Sequence, residues 1–120
     1  FRIRESHVID ELTERHGLLL ATGGGAVLNQ ENRQRLDDRG IVIHLDTSVD
    51  LLVRRTAKDK KRPLLQNKNP RLVLEQIKKD RDPLYREIAD IHIFVGDTNS
   101  RKVVKLALHE LSEKGFLKEL

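Results

Sequence analysis

Three consecutive glycines, Gly23, Gly24 and Gly25, interrupt an apolar run in "LLLATGGGAV", the stretch from Leu18 to Val27. Residues without a Cβ let the backbone approach a ligand closely and adopt positive φ. Bare N–H groups placed there can hydrogen-bond a hydroxyl or an anionic oxygen. A tight turn with no ligand accounts for the same glycines equally well. Their spacing is not that of a dinucleotide fingerprint, and no Lys-Ser/Thr pair follows, so they do not form a phosphate loop.

Several arginines have company that suits anion chemistry. In "FRIRE", Arg2 and Glu5 stand three apart, so on a helix they share a face. A carboxylate that fixes a guanidinium aims it at an anion, although an ordinary surface pair has the same spacing. In "KKRPLL", Arg62 precedes a rigid proline and two leucines. A loop with an apolar base and a cationic tip can close over a site, or it can be a solvated linker. In "RDPLYRE", Arg81 lies just before Pro83, where a guanidinium can leave the helix line; a salt-bridged surface arginine is the alternative. Arg54 and Arg55 can stack on a flat ring, and a solvent-facing helix explains at least one of them. The histidines His7, His16, His44, His92 and His109 show no metal-ligand spacing, and no Ser-His-Asp arrangement is legible. His44 and His92 fall in apolar runs and read as core-edge residues.

The elements that position these groups follow from periodicity and punctuation. Apolar residues at Ile3, Val8, Ile9 and Leu12 suit one face of a helix from about Ile3 to His16, with Gly17 as its stop. Leu18 to Ala21 reads as a buried strand ending at the glycines. "NQENRQRLDDRG" reads as a polar helix capped by Asn29 and stopped by Gly40. "IVIHL", from Ile41 to Leu45, is a second buried strand; Asp46, Thr47 and Ser48 then cap a helix from about Val49 to Thr56. Residues 57–69 read as a lid loop. A helix from Pro70 to about Lys79 follows. Pro83 is expected to interrupt it before "LYREIA" resumes it. "IHIFV", Ile91 to Val95, is a third strand, and a final helix runs from Arg101 to about Lys114 with Gly115 at its end. Buried strands alternating with helices predict an α/β domain built on a parallel sheet. In such sheets ligands bind outside the carboxyl ends of the strands, which is where the glycines fall.

Composition narrows the partners. The chain of 120 residues has a single-domain length and is 35% charged, 38% hydrophobic and 3% aromatic. No apolar run approaches membrane-spanning length and no signal peptide is visible, so no membrane partner and a cytoplasmic location are expected. There is no cysteine, which excludes disulfides, thiol catalysis and cysteine-ligated metals. The net charge of +4 comes from bases interleaved with acids, and only "KDKK" (Lys58 to Lys61) clusters. With one tyrosine and three phenylalanines there is no stacking platform for single strands, which disfavours nucleic acid and favours a small anionic ligand. The chain starts at Phe1, has no Met and enters a helical pattern at once, so residues upstream of Phe1 are expected.

Taken in order, "FRIRE", "LLLATGGGAV", "RRT" followed by "KKRPLL", and "RDPLYREIAD" resemble the shikimate kinases across essentially the whole chain. The resemblance implies a P-loop kinase fold of the nucleoside monophosphate kinase type, with three of its strands present. It implies transfer of the γ-phosphoryl of ATP to the 3-hydroxyl of shikimate with Mg2+, in the pathway to chorismate and the aromatic amino acids, by a monomer. It also implies residue roles. Arg2 resembles a shikimate-binding arginine and Glu5 its orienting carboxylate. Gly23, Gly24 and Gly25 resemble the glycines that contact shikimate, with Gly24 the foremost backbone donor. Arg81 resembles the second arginine on the substrate carboxylate, and Arg62 the catalytic lid arginine that reaches the ATP phosphates. Arg55 and Asn99, the latter in "DTNSR", resemble the adenine side.

One departure is large. The family's phosphate loop, its aspartate on the substrate hydroxyl and its Mg2+ ligand belong upstream of the "FR" motif and are absent from these residues. The 120 residues alone are therefore expected not to turn over ATP. The alternatives are a non-catalytic module of the same family that binds an anion or regulates a partner, and another small P-loop kinase such as gluconate kinase.

Overall fold

The structure is a computed structural model that describes residues 1–57 and 69–117. Helix α1 (Arg2–Thr13) buries Ile9 against α2 (Gln30–Arg39). The two helices are joined at their far ends by Arg39, whose Nη1 donates to Asp10 Oδ1 at 2.7 Å and to Thr13 Oγ1 at 3.0 Å. Between the helices lies a 3-10 turn, Gly24–Leu28, which buries Ala26 and Val27. Strand β1 (Ile43–Asp46) leads into α3 (Val49–Thr56), then α4 (Pro70–Ile88), β2 (Ile91–Phe94) and α5 (Ser100–Glu113).

The strands pair in parallel, with Ile43 opposite Ile91, His44 opposite His92, and Asp46 opposite Phe94. Parallel neighbours need a long crossover, and α3 and α4 belong to it. Ile91 and Ile93 are buried on one face of β2, which packs against α5, while α3 packs on α4 with Leu51 and Leu74 buried.

Most caps follow the sequence logic. Asn29 Oδ1 accepts from the amides of Glu31 and Asn32, Ser48 Oγ from Leu51, Asn69 Oδ1 from Arg71, and Asn99 Oδ1 from Lys102. Each satisfies an amide that the helix itself leaves unpaired. At the other end of α5, Gly115 takes φ +75°. The Phe116 amide then reaches Leu111 O at 2.9 Å and the Gly115 amide Ser112 O at 3.0 Å, a Schellman ending.

Three expectations need correction. Leu18 to Ala21 is not a strand, so the described residues contain two strands rather than three. A strand is held by its ladder, and this segment has no pairing partner among the described residues; Leu19 is 97% exposed. The first helix stops at Thr13, short of His16, so Gly17 (φ +70°) turns the chain beyond the helix instead of capping it. Pro83 does not break α4, which runs unbroken through it. The helix is anchored on both sides of the proline, through Lys78 to Asp46 and through Tyr85 to Gly24. Those anchors hold the helix together where an interior proline removes one hydrogen bond.

Candidate active site

The glycine turn is where three elements meet. Arg2, in the first turn of α1, donates from Nη1 to Glu5 Oε1 at 2.8 Å. Glu5 is the more buried partner, its side chain 11% exposed against 55% for Arg2. Such a pair adds little stability, about 0–1 kcal/mol. Its effect is to aim the guanidinium, which lies on Gly25. A Cβ there would fall 2.6 Å from Arg2 Nη1 and 2.7 Å from Cζ. At the neighbouring glycine, a Cβ on Gly24 would come 2.8 Å from the Tyr85 hydroxyl and 3.5 Å from Arg81 Nη1. Gly23 faces Glu5 Oε2 at 3.9 Å by the same measure. Arg2, Glu5, Arg81 and the triplet therefore share one corner. A cavity of about 290 Å3 opens on the Arg2 side of it, lined also by Ser6, Leu28, Asn29 and Asn32.

The glycines serve close approach alone. The expectation of positive φ is not met at any of the three; only Gly17 and Gly115 adopt it among the described residues. What the turn does instead is tie down its carbonyls. Gly23 O accepts from the Ala26 amide at 3.2 Å, and Gly24 O from the Tyr85 hydroxyl at 2.8 Å. Ala26 O accepts from Asn32 Nδ2 at 3.1 Å, and Val27 O from Arg33 Nη1 at 2.6 Å. Arg33 is itself held by Glu87 of α4 at 2.8 Å. The amides of Gly23, Gly24 and Gly25 make no hydrogen bond among the described residues. Fixed acceptors and free donors make a surface suited to hydroxyl or anionic oxygen.

A second polar cluster lies at the carboxyl end of β1. Lys78 Nζ reaches Asp46 Oδ1 at 2.5 Å and Asp82 Oδ2 at 3.0 Å, while His92 Nε2 lies 3.0 Å from Asp46 Oδ2. Partial burial pushes the Asp46 carboxyl up. The hydrogen bonds from Lys78 and His92 outweigh it and hold its pKa at about 2. Burial lowers the pKa of His44, whose ring stacks on Tyr85 with centroids 4.5 Å apart. Atoms of His44, Asp46 and Asp82 lie within 4.8 Å of one another. That donor set does not fit Mg2+, a hard ion that prefers oxygen ligands, because a histidine is included and both carboxylates are already engaged by Lys78.

The remaining sequence-selected residues stand apart from the corner. Arg55 is exposed in the last turn of α3, as is Arg54, and Asn99 caps α5. Neither Arg55 nor Asn99 bonds to the glycine turn among the described residues. Arg62 and nearly all of the lid loop lie outside the described residues. A larger apolar groove of about 570 Å3, along Leu72, Val73 and Ile77, holds none of the selected residues. Tyr85, Asn32 and Arg33 escaped the sequence reading. Tyr85 had a signal: it lies one helical turn beyond Arg81, so the two share a face.

Parallel strands joined through helices, with arginines converging on a glycine turn, form a fragment of the α/β fold of P-loop kinases. The family model for shikimate kinase matches residues 1–112, and the chain belongs to that family. The shikimate kinase of Vibrio cholerae serotype O1 (strain O395) is 51% identical over 113 residues, covering 94% of this chain and 65% of that protein. The shikimate kinase of Actinobacillus pleuropneumoniae serotype 5b is 54% identical over 111 residues, covering 92% and 64%. A solved structure, shikimate kinase from Acinetobacter baumannii in complex with shikimate, superposes with a TM-score of 0.89 at 44% identity. It covers 98% of this chain and 65% of that one. The chain thus spans about 65% of the length of these relatives.

Proposed function

We propose that the protein is a shikimate kinase, transferring the γ-phosphoryl of ATP to the 3-hydroxyl of shikimate, and that this chain supplies the shikimate seat. The observation that carries the reading is the convergence of Arg2 and Arg81 on adjacent glycines of one triplet, Arg2 at Gly25 and Arg81 at Gly24. Shikimate is a small hydroxylated carboxylate. Two guanidiniums can clamp its carboxylate, and free glycine amides can meet its hydroxyl. In the proposal Glu5 orients Arg2, and Arg62 brings positive charge to the ATP phosphates from the loop of residues 57–69. Arg55 and Asn99 serve the adenine side. Phosphoryl transfer asks mainly for positioning and charge neutralisation, which this set of residues provides on the acceptor side. Mg2+ would neutralise phosphate charge when bound; no residue described above is assigned to it. The protein is proposed to act as a cytoplasmic monomer without nucleic-acid or membrane partners. No helix among the described residues is long and apolar enough to cross a membrane.

The test is a coupled assay of ADP release in the full-length protein, run with shikimate and with gluconate. Saturable turnover with shikimate, absent with gluconate, is the expected result. Turnover with gluconate alone, or with neither, overturns the reading.

A further inference from the structure

We infer that Tyr85 is a positioning residue for the shikimate seat, acting through the peptide between Gly24 and Gly25; the inference rests on the function proposed above. The Tyr85 hydroxyl donates to Gly24 O at 2.8 Å. That carbonyl and the Gly25 amide belong to one planar peptide unit, and in a trans peptide they point in opposite directions. No cis peptide is present among the described residues. Holding the oxygen therefore aims the Gly25 N–H away from Tyr85. Gly25 is also the glycine on which the Arg2 guanidinium rests. The tyrosine consequently fixes a backbone donor beside one of the two arginines.

Tyr85 can do this because it is itself held. Its ring stacks on His44 of β1 at 4.5 Å, with planes 30° apart. Arg81, one turn earlier on α4, approaches the same Gly24. One rigid helix thus sets both the arginine and the anchor of the donor peptide. The neighbouring peptide, whose N–H belongs to Gly24, is held by the Ala26 amide on Gly23 O, so Tyr85 is the side chain that secures the next one. The hydroxyl itself makes no claim on substrate; it acts through the backbone.

Tyr85→Phe keeps the ring and removes the hydroxyl. In the full-length protein it should raise the KM for shikimate roughly three- to tenfold, the range of one ordinary hydrogen bond, and leave the KM for ATP unchanged. Glu11→Gln is the control, because it removes only an exposed pair with Arg15 on α1's outer surface; it should move neither constant. Gly24→Ala presses a methyl against the same hydroxyl, so in the Tyr85→Phe background it should cost less than it does alone. An unchanged shikimate KM in Tyr85→Phe, an equal rise in both constants, or additive effects of the two substitutions would overturn the role. Wild-type protein that shows no saturation by shikimate refutes the functional reading instead. Wild type that saturates beside an unaffected Tyr85→Phe refutes the tyrosine's role alone.

Discussion

At the scale of single residues, Gly25 and Asp46 make opposite demands. Gly25 matters for what it lacks. A Cβ there collides with the end of the Arg2 side chain, which is flexible and can swing away. Gly25→Ala should therefore leave the melting temperature nearly unchanged while displacing the guanidinium. Shikimate affinity measured by calorimetry should fall roughly ten- to a hundredfold, the scale of a charge-assisted hydrogen bond. A variant that binds as well as wild type would show that Arg2 is not part of the seat. Asp46 matters for its charge. Its pKa is depressed from 3.8 to about 2, so its stabilisation is complete above the unfolded value and is lost as pH falls through the folded one. The amount is about 2 kcal/mol. Acid titration of stability should show this loss between about pH 4 and pH 2 in wild type. The Asp46→Asn variant should show a correspondingly shallower slope there, and an equal slope would deny the lysine pairing.

At the scale of elements, α4 carries the most function per residue. It brings Lys78 to β1, Arg81 and Tyr85 to the glycines, and Glu87 to Arg33. Pro83 sits exposed in the middle of it. Pro83→Ala restores a backbone donor and removes a ring that crowds the preceding turn, without disturbing packing. Thermal unfolding should show a gain, up to about 3 kcal/mol in the limit of a full helix-interior penalty. A loss would mean that the proline shapes the helix for the site. In the sequence Pro83 reads as a break because local propensity argues for one, whereas the two flanking anchors are tertiary and have no local signature. The same reason explains Leu18 to Ala21: four apolar residues look like a strand, but a ladder needs a neighbour that no local pattern supplies. Caps were legible because each is a contact over two or three residues, as at Asn29 and Ser48.

At the scale of the whole molecule, the corner depends on residues far apart in sequence. Arg2, Gly24 and Arg81 come together only because α1 and α4 both pack on the turn. Their chemistry was legible one motif at a time, and each motif alone also suited a surface pair or an empty turn. The ordered set raised the reading above its parts. The carbonyl clamps from Asn32 and Arg33 were not legible, since an asparagine or arginine in a polar helix announces no partner six residues back. The central claim is that both arginines hold one carboxylate. It is tested most directly by titrating the full-length protein calorimetrically with shikimate, comparing wild type with Arg2→Ala, Arg81→Ala and the double variant. Each single substitution should weaken shikimate binding roughly ten- to a hundredfold and leave ATP binding as it was, with the double variant losing less than the product. Shikimate affinity unaltered by either substitution would contradict the account.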